Sequence, residues 1–265
     1  MEIPLSIVSA VSGLLLGSFF NVLICRIPEK RSILWPASHC TKCNTPLKPW
    51  HNVPVLSYLF LRGRCSFCKQ PVSLMYPVVE LITGGAALAI WLLLIVPQLP
   101  VRWPELPQLA VQVLFLLLII PVSAIDLKHY IIPDQLSLSL LALSGAVAFL
   151  PGPLTPLDSL TGILAGGGSL YAVGRVGTVV LKKNAMGGGD IKLMAAAGAL
   201  WGAQTVLLAI IFGAVIGSVY GVTLMAFRKI NSQHQIPFGP FLGGGLWIAV
   251  LYGAGIFDWY MSLVG

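Results

Sequence analysis

Charged side chains are scarce in this sequence. Only 9% of its 265 residues are charged, and 57% are hydrophobic. A soluble domain carries about 25% charged residues, so the composition excludes an ordinary soluble enzyme and indicates a multi-pass membrane protein. The net charge of +7 does not indicate nucleic-acid binding, because eight of the sixteen Lys and Arg residues fall between Arg26 and Lys69, in one loop between apolar runs.

Several motifs of soluble enzymes are also missing. The chain contains neither G-x-S-x-G nor H-E-x-x-H, and His129 and His234 stand in isolation. These absences argue against a serine hydrolase and a zinc protease. No Rossmann fingerprint, internal repeat or basic segment of a cleavable signal peptide is evident, and the first apolar run is long enough to span a membrane.

Long apolar runs are the main feature that the sequence does contain. They predict an all-α, polytopic membrane protein with about eight transmembrane helices. The approximate limits of the runs are 3–25, 76–96, 109–125, 135–150, 160–181, 191–201, 204–227 and 241–260. The chain is therefore expected to consist of a first transmembrane helix (1–25), a cysteine-rich extramembrane loop (26–71) and a transmembrane core (72–265).

Basic residues concentrate on one side of the predicted topology. The loops after the first, third, fifth and seventh spans contain the segment Arg26 to Lys69, Lys128, Lys182, Lys183, Lys192, Arg228 and Lys229. The opposite loops contain Arg102 alone. The positive-inside rule predicts that the basic loops are cytoplasmic. Asp126 and Asp190 then both lie at the cytoplasmic ends of spans, at one membrane level.

Four of the five cysteines form two C-x-x-C pairs with 21 residues between them. The pairs are Cys40 with Cys43 and Cys65 with Cys68. This spacing is typical of a zinc ribbon, in which four thiolates form a closed structural site. A redox or disulfide role is the alternative, which the reducing cytoplasm disfavours. Cys25 is expected to be a small buried side chain.

Two of the five aspartates, Asp126 and Asp190, are the candidates for catalysis. Two neighbouring carboxyl groups can share a proton, so that one acts as a base on water and the other as an acid toward a carbonyl. The alternative is two unrelated acids, paired with Lys128 and Lys192. Asp134 precedes another apolar run, and a helix N-cap is its favoured interpretation.

Glu80 is a further acid within an apolar run. It lies near the cytoplasmic end of the second predicted span. The sequence gives Glu80 no partner. It is expected to face the basic residues of the cysteine-rich loop or to line a substrate groove.

An ordered series of short motifs runs through most of the chain. The segments are Gly17-Ser18-Phe19-Phe20-Asn21-Val22, Arg26-Ile27-Pro28, both cysteine pairs, His51-Asn52-Val53-Pro54, Leu56-Ser57-Tyr58, Tyr76 to Leu81, Ile125-Asp126, Ile132-Pro133-Asp134, Met186 to Lys192 and Pro237 to Phe241. With these segments the chain resembles the bacterial type IV prepilin peptidases, which belong to the GxGD class of intramembrane aspartyl proteases.

The resemblance implies a bifunctional enzyme of the bacterial inner membrane. Such an enzyme cleaves the basic leader from type IV prepilins or type II secretion pseudopilins at the cytoplasmic face. It then methylates the new N-terminal amine with S-adenosylmethionine. The resemblance makes Asp126 and Asp190 catalytic, and makes the four paired cysteines ligands of Zn²⁺. It associates the Gly63-Arg64 step with methyl transfer.

The glycines before Asp190 are the predicted platform for a peptide substrate. Gly187 and Gly189 would let an extended backbone approach within hydrogen-bonding distance, because glycine has no side chain. Gly188 should tolerate substitution better.

Two other functions fit parts of the pattern. A transporter or sensor could use Asp126 and Asp190 as proton or cation sites, with the cysteine-rich loop as a regulatory element. Both acids lie at one membrane level, however, and no inverted repeat is visible, which argues against a transporter. A structural scaffold is the weaker option.

Overall fold

The structure, a computed structural model, describes residues 2–182, 186–227 and 235–264. Lys183, Arg228, Lys229 and His234 lie outside these ranges. The described residues form α-helices and short 3₁₀ and π turns, without a β-strand, so the all-α prediction is confirmed. The helices are α1 (Glu2–Arg26), α2 (Leu56–Phe60), α3 (Met75–Ile90), α4 (Leu106–His129), α5 (Asp134–Val147), α6 (Pro156–Ile163), α7 (Ser169–Leu181), α8 (Gly188–Ala226) and α9 (Gly239–Val264).

Six helical segments of the described chain are long and apolar enough to cross a membrane. They are Pro4–Arg26, Met75–Gln98, Trp103–His129, Pro156–Val180, Gly188–Ala226 and Gly239–Leu263. A further apolar helix, Asp134–Val147, has only 14 residues. The chain is therefore a multi-pass membrane protein.

The predicted sixth and seventh spans are joined in α8, which has 39 residues. The helix is interrupted at Gly202, whose φ of 77° and ψ of 178° are not helical. This backbone region is accessible almost only to glycine. The interruption separates two helical stretches and lies between the predicted limits of the two spans, so the sequence placed the boundary correctly.

Residues Met1–Leu99 form one compact unit, in which α1 packs along α3. Glycines allow the two helices to approach closely. A Cβ atom at Gly13 would lie 2.5 Å from Cβ of Ala87, and one at Gly17 would lie 2.6 Å from Cα of Glu80. Small residues at such contacts are typical of helix pairs in membranes, where dispersion between closely packed backbones replaces the hydrophobic effect.

Residues Pro100–Gly265 form a second compact unit around α8, which packs against α5, α6 and α9. Gly162 and Gly198 make the closest approach between α6 and α8, because a Cβ atom on either would come within 2.0 Å of the carbonyl oxygen of the other. Phe115 of α4 is fully buried against the edge of Trp201, with 5.1 Å between ring centroids. These contacts fix the first half of α8, which begins beside Asp190.

Candidate active site and metal centre

Asp126 lies in the last turn of α4 and is buried, with 5% of its surface exposed. Its Oδ2 atom accepts a hydrogen bond of 2.9 Å from the backbone N–H of Gly239, the first residue of α9. A Cβ atom at Gly239 would lie only 2.7 Å from the same oxygen, so this contact requires glycine. Among the described residues, no ion pair joins Asp126 to Lys128. One of the two pairings in the alternative interpretation is therefore not formed.

Asp190 lies in the first turn of α8. The backbone of Gly187 lies beside its carboxyl group. The Oδ1 atom is buried and has no hydrogen-bond partner within the described part of the chain. A buried oxygen without a partner is energetically costly and is a common feature of catalytic positions. Its hydrogen-bonding capacity is therefore unused within the described part of the chain.

The alternative interpretation required Lys192 to pair with Asp190, and this pair is not formed. Its Nζ atom donates instead to Oδ1 of Asp134, at 2.6 Å. The predicted N-cap role of Asp134 is also wrong, because Pro133 occupies the N-cap of α5 and Asp134 is the first helical residue. The ion pair joins the start of α5 to the start of α8, and no described lysine pairs with the Asp190 carboxyl group.

Ile132 connects the surroundings of the two aspartates. A Cβ atom at Gly239, beside Asp126, would lie 3.2 Å from Cδ1 of Ile132. A Cβ atom at Gly189, beside Asp190, would lie 2.6 Å from Cβ of Ile132. The two carboxyl groups lie within electrostatic reach of each other. Ile132 and Gly239 belong to motifs that the sequence analysis quoted, but it gave neither residue a role.

The glycines before Asp190 differ from one another in their surroundings. A Cβ atom at Gly187 would lie 3.0 Å from Oδ2 of Asp190, whereas one at Gly188 would have no described heavy atom within 4 Å. The space beside Gly189, which was predicted to admit a substrate, is occupied by Ile132. Gly189 therefore serves the packing of α8 against the loop between α4 and α5.

Four cysteines come together in the other unit. The sulfur atoms of Cys40, Cys43, Cys65 and Cys68 all lie within 4.8 Å of one another, and those of Cys40 and Cys68 are 3.9 Å apart. A tetrahedral zinc site with Zn–S bonds of about 2.3 Å places its sulfur atoms about 3.8 Å apart. All four thiols are free, which does not support the disulfide alternative. The cluster fits a structural zinc ion.

Hydrogen bonds favour the thiolate form at two of these cysteines. A hydrogen bond with the Thr45 side chain is the largest cause that lowers the pKa of Cys43, to about 6. Backbone hydrogen bonds from Cys68 and Phe67 lower the pKa of Cys65. The thiolate is the form that binds metal, so these hydrogen bonds prepare Cys43 and Cys65 for an ion. The pKa of Cys68 is raised instead, to about 11, because a lowering hydrogen bond with the Gln70 backbone is outweighed by burial and by hydrogen bonds to the other cysteines.

The two cysteine pairs lie in two turns that follow one plan, which we call the first knuckle (38–47) and the second knuckle (63–72). In each, an antiparallel bridge joins the residue before the first cysteine to a proline, and the same two backbone hydrogen bonds recur. These bonds are Cys40 N–H to Thr45 O and Leu47 N–H to Ser38 O in one knuckle, and Cys65 N–H to Gln70 O and Val72 N–H to Gly63 O in the other. The expectation that the chain has no internal repeat is therefore wrong at the scale of ten residues. The repeat is hard to see in the sequence because only two cysteines and one proline are identical between the two segments.

Gly63 and Arg64 begin the second knuckle. Gly63 has a φ of +66°, and a Cβ atom there would lie 2.8 Å from Oη of Tyr58. Arg64 lines a surface concavity of about 420 Å³, together with Phe60, Leu61, Arg62, Cys65 and Lys69. The step that the resemblance associates with methyl transfer therefore borders an open, basic depression that also contains a metal-cluster cysteine.

Glu80 is buried in α3, with 7% of its surface exposed. Its Oε2 atom accepts a hydrogen bond of 2.7 Å from the backbone N–H of Val55. Its described neighbours are thus the backbone of the cysteine-rich loop and the Ser18 side chain. No described ion pair joins it to a basic side chain of that loop, which was one of the two expectations for Glu80. Cys25 is half-buried, and its sulfur lies 3.7 Å from Oη of Tyr76.

Comparison with protein families gives two matches along this chain. The model of the Bacterial Peptidase A24 N-terminal domain matches residues 11–94, which contain both knuckles and Glu80. The model of the Type IV leader peptidase family matches residues 112–222, which contain Asp126 and Asp190. Each matched segment lies within one of the two compact units.

Comparison with curated proteins gives matches along nearly the whole chain. The chain is 36% identical to the prepilin leader peptidase/N-methyltransferase of Pseudomonas putida, over 97% of this chain and 94% of that protein. For the proteins of the same description from Aeromonas salmonicida and Bacillus subtilis, the identities are 33% and 31%. These two alignments cover 95% and 96% of this chain, and 92% and 96% of the relatives. No solved structure matches.

Proposed function

Because the chain belongs to the type IV leader peptidase family, with peptidase and N-methyltransferase activities, we propose that Asp126 and Asp190 carry out its peptide cleavage. The observation that carries this proposal is the pair itself. Two carboxyl groups from different helices lie within electrostatic reach, and one of them has a buried oxygen without a described partner. The relatives give no support to a transporter.

The two carboxyl groups would divide the chemistry of hydrolysis between them. One takes a proton from water, whose oxygen attacks the scissile carbonyl carbon, while the other donates its proton to the carbonyl oxygen. The carbon–nitrogen bond then breaks, and the leaving nitrogen receives a proton and becomes the new N-terminal amine. Gly239 holds one oxygen of Asp126 during these steps and leaves the other available.

The substrates are type IV prepilins or type II secretion pseudopilins, at the cytoplasmic face of the bacterial inner membrane. The apolar helix of such a substrate enters laterally from the bilayer, because only helical or buried backbone is tolerated in lipid. The concentration of basic residues in alternate loops supports the cytoplasmic side. Gly187 and Gly189 position the substrate indirectly, because their missing side chains allow the start of α8 to approach Ile132 and keep the Asp190 carboxyl group clear.

Methyl transfer belongs to the loop 26–71, with S-adenosylmethionine as the donor. Cys40, Cys43, Cys65 and Cys68 would bind one Zn²⁺ with all four coordination positions filled, so the ion would stabilise the loop and take no part in the reaction. The Gly63-Arg64 step, beside the basic depression, is the methyl-transfer-associated element. In this functional division the first helix (1–25) anchors the loop, and residues 72–265 form the peptidase core.

A two-stage assay tests the proposal. The purified protein is incubated in detergent with a prepilin, first alone and then with S-adenosylmethionine, and the products are analysed by mass spectrometry. We expect a shortened pilin in the first stage and an added methyl group at its new N-terminus in the second. An intact prepilin after full incubation would contradict the peptidase assignment, and a cleaved but unmethylated product would contradict the second activity.

A further inference from the structure

The backbone at Val55 adopts a rare conformation just before α2. Its φ of 60° and ψ of −50° form a γ-turn, in which the N–H of Leu56 donates to the carbonyl of Pro54 at 2.5 Å. This form of the γ-turn is strained, and a positive φ is an outlier for a β-branched residue. Such a conformation persists only where its surroundings hold it in place.

Glu80 is the group that holds this turn. Its carboxyl oxygen accepts the Val55 N–H at 2.7 Å, from a side chain that is more than nine-tenths buried. In the part of the chain that is described, no Lys, Arg or His forms an ion pair with Glu80. A buried carboxyl group needs hydrogen bonds to offset its desolvation, and the strained turn needs a fixed acceptor. The Ser18 side chain also contacts this carboxyl group, but the Val55 N–H is the contact that joins it to the strained turn.

Short contacts lead from the turn to the second knuckle. Tyr58, in the helix that the turn starts, accepts the N–H of Gly63 with its carbonyl at 2.8 Å. The Tyr58 ring fills the space beside Gly63, and its hydroxyl donates to the carbonyl of Val72 at 3.4 Å. Tyr58 thus contacts both ends of the knuckle that contains Arg64.

From these contacts we propose that Glu80 is a positioning residue for methyl transfer. It holds the γ-turn at Val55, and through α2 it fixes the second knuckle and the basic depression beside Arg64. This inference rests on the proposed methyltransferase function of the loop. Glu80 touches no reacting atom, so its loss should affect methylation and leave cleavage by Asp126 and Asp190 in place.

Removal of the acceptor tests this role. Glu80→Met keeps the length of the side chain but has no oxygen, and it should lower methylation of a pre-cleaved pilin by about 10- to 100-fold, the cost of a small misplacement. Cleavage should stay within about twofold. Glu80→Gln keeps an acceptor oxygen and should retain most of the methylation. Thr83→Val is the matched control, because Thr83 is equally buried in α3 but its hydroxyl donates only to Val79 of the same helix.

A second substitution tests the route through the turn. Glycine adopts positive φ without steric cost, so Val55→Gly should restore much of the methylation that Glu80→Met loses. Absence of rescue would contradict the route through the γ-turn. Equal losses of methylation and cleavage, or a loss of bound zinc, would show that Glu80 supports the fold of the whole enzyme and would overturn the proposal.

Hydrogen exchange separates this inference from the proposed function. If the wild-type protein transferred no methyl group, the proposed methyltransferase function would be contradicted. The exchange rates of the amides of residues 63–72 would still show whether Glu80 holds the second knuckle in place. We expect faster exchange in Glu80→Met than in wild type, with Thr83→Val unchanged. Unchanged exchange in Glu80→Met would contradict the positioning role, whatever the activity of the wild type.

Discussion

The metal centre and the aspartate site are built in opposite ways. Each cysteine knuckle is complete within ten residues and is closed by its own backbone hydrogen bonds. The aspartate site combines the end of α4, the loop before α5 and the starts of α8 and α9, and one of its bonds joins residues 113 positions apart. The first site depends on local turns and an ion, whereas the second depends on the packing of helices.

This difference indicates how each site should fail. Loss of the metal would release the two knuckles from each other, because the ion would bind sulfur atoms of both. The helices of the other unit would stay packed. A small change in helix packing would separate Asp126 from Asp190 without affecting the cysteines. The two activities should therefore respond to different substitutions.

The largest effect is expected from the aspartates themselves. Asp126→Asn and Asp190→Asn should each lower cleavage of a prepilin by about 10²- to 10⁴-fold, because a proton-transfer group is lost. Asparagine keeps an oxygen for the Gly239 N–H, so the protein should remain folded. Methylation of a pre-cleaved pilin, measured with radiolabelled donor, should persist in both variants. Full cleavage by either one would refute the assignment.

Packing beside Asp190 should have the next largest effect. Gly189→Val places side-chain atoms where Ile132 already lies, and we expect cleavage to fall by about 10²-fold through displacement of the aspartates. Gly188→Ala is the matched control, because the space beside Gly188 is open.

The double variant Gly189→Val/Ile132→Ala distinguishes packing from a substrate surface. Removal of the Ile132 side chain makes room for valine and should recover part of the cleavage rate at matched membrane expression. If it recovers none, Gly189 acts by contact with the substrate and not through Ile132.

Removal of the metal should affect mainly the other activity. About one zinc ion per chain should be found in freshly purified protein, and Cys40→Ser should reduce both its content and methylation, the latter by at least about tenfold. Cleavage should fall less. Cys25→Ser, outside the cluster, should retain zinc. A fresh preparation with four reactive thiols and no metal would contradict the zinc site.

The smallest effect is expected from the ion pair between Asp134 and Lys192. Their side chains are 61% and 37% exposed, and a surface pair of this kind contributes about 0–1 kcal/mol. Asp134→Asn should therefore lower cleavage by less than about fivefold. High salt should remove the difference between variant and wild type, because screening already weakens the wild-type pair. A loss as large as that of Asp190→Asn would place Asp134 among the catalytic groups.

Features that depend on local sequence could be predicted well. The C-x-x-C spacing predicts a cysteine cluster because each pair forms its own turn, and the four sulfur atoms do come together. Hydrophobic runs predict the helices because apolar length decides whether a segment can span a bilayer. Even the interruption of α8 at Gly202 lies in the predicted gap.

Features that depend on tertiary contacts could not be predicted. The partner of Glu80 is a backbone N–H, which every residue except proline has, so the sequence contains no sign of Val55. The N-cap prediction for Asp134 failed because α5 has Pro133 at its N-cap, one residue earlier than predicted. Its actual partner, Lys192, is 58 positions away. Ile132 fills the space beside Gly189, and Gly239 leaves space for the carboxyl group of Asp126. Both roles depend on how three helices pack together, which the sequence does not show.

The hydrogen bond from Gly239 to Asp126 also sets an order of events during synthesis. At about 5–20 residues per second, a ribosome adds Gly239 on the order of ten seconds after Asp126. Later in that interval α4 and the start of α8 have been made, but Asp126 still lacks the α9 backbone that holds its oxygen. A nascent chain therefore cannot complete this site until translation reaches the last described helix, and a ribosome that stalls earlier leaves an incomplete protease in the membrane.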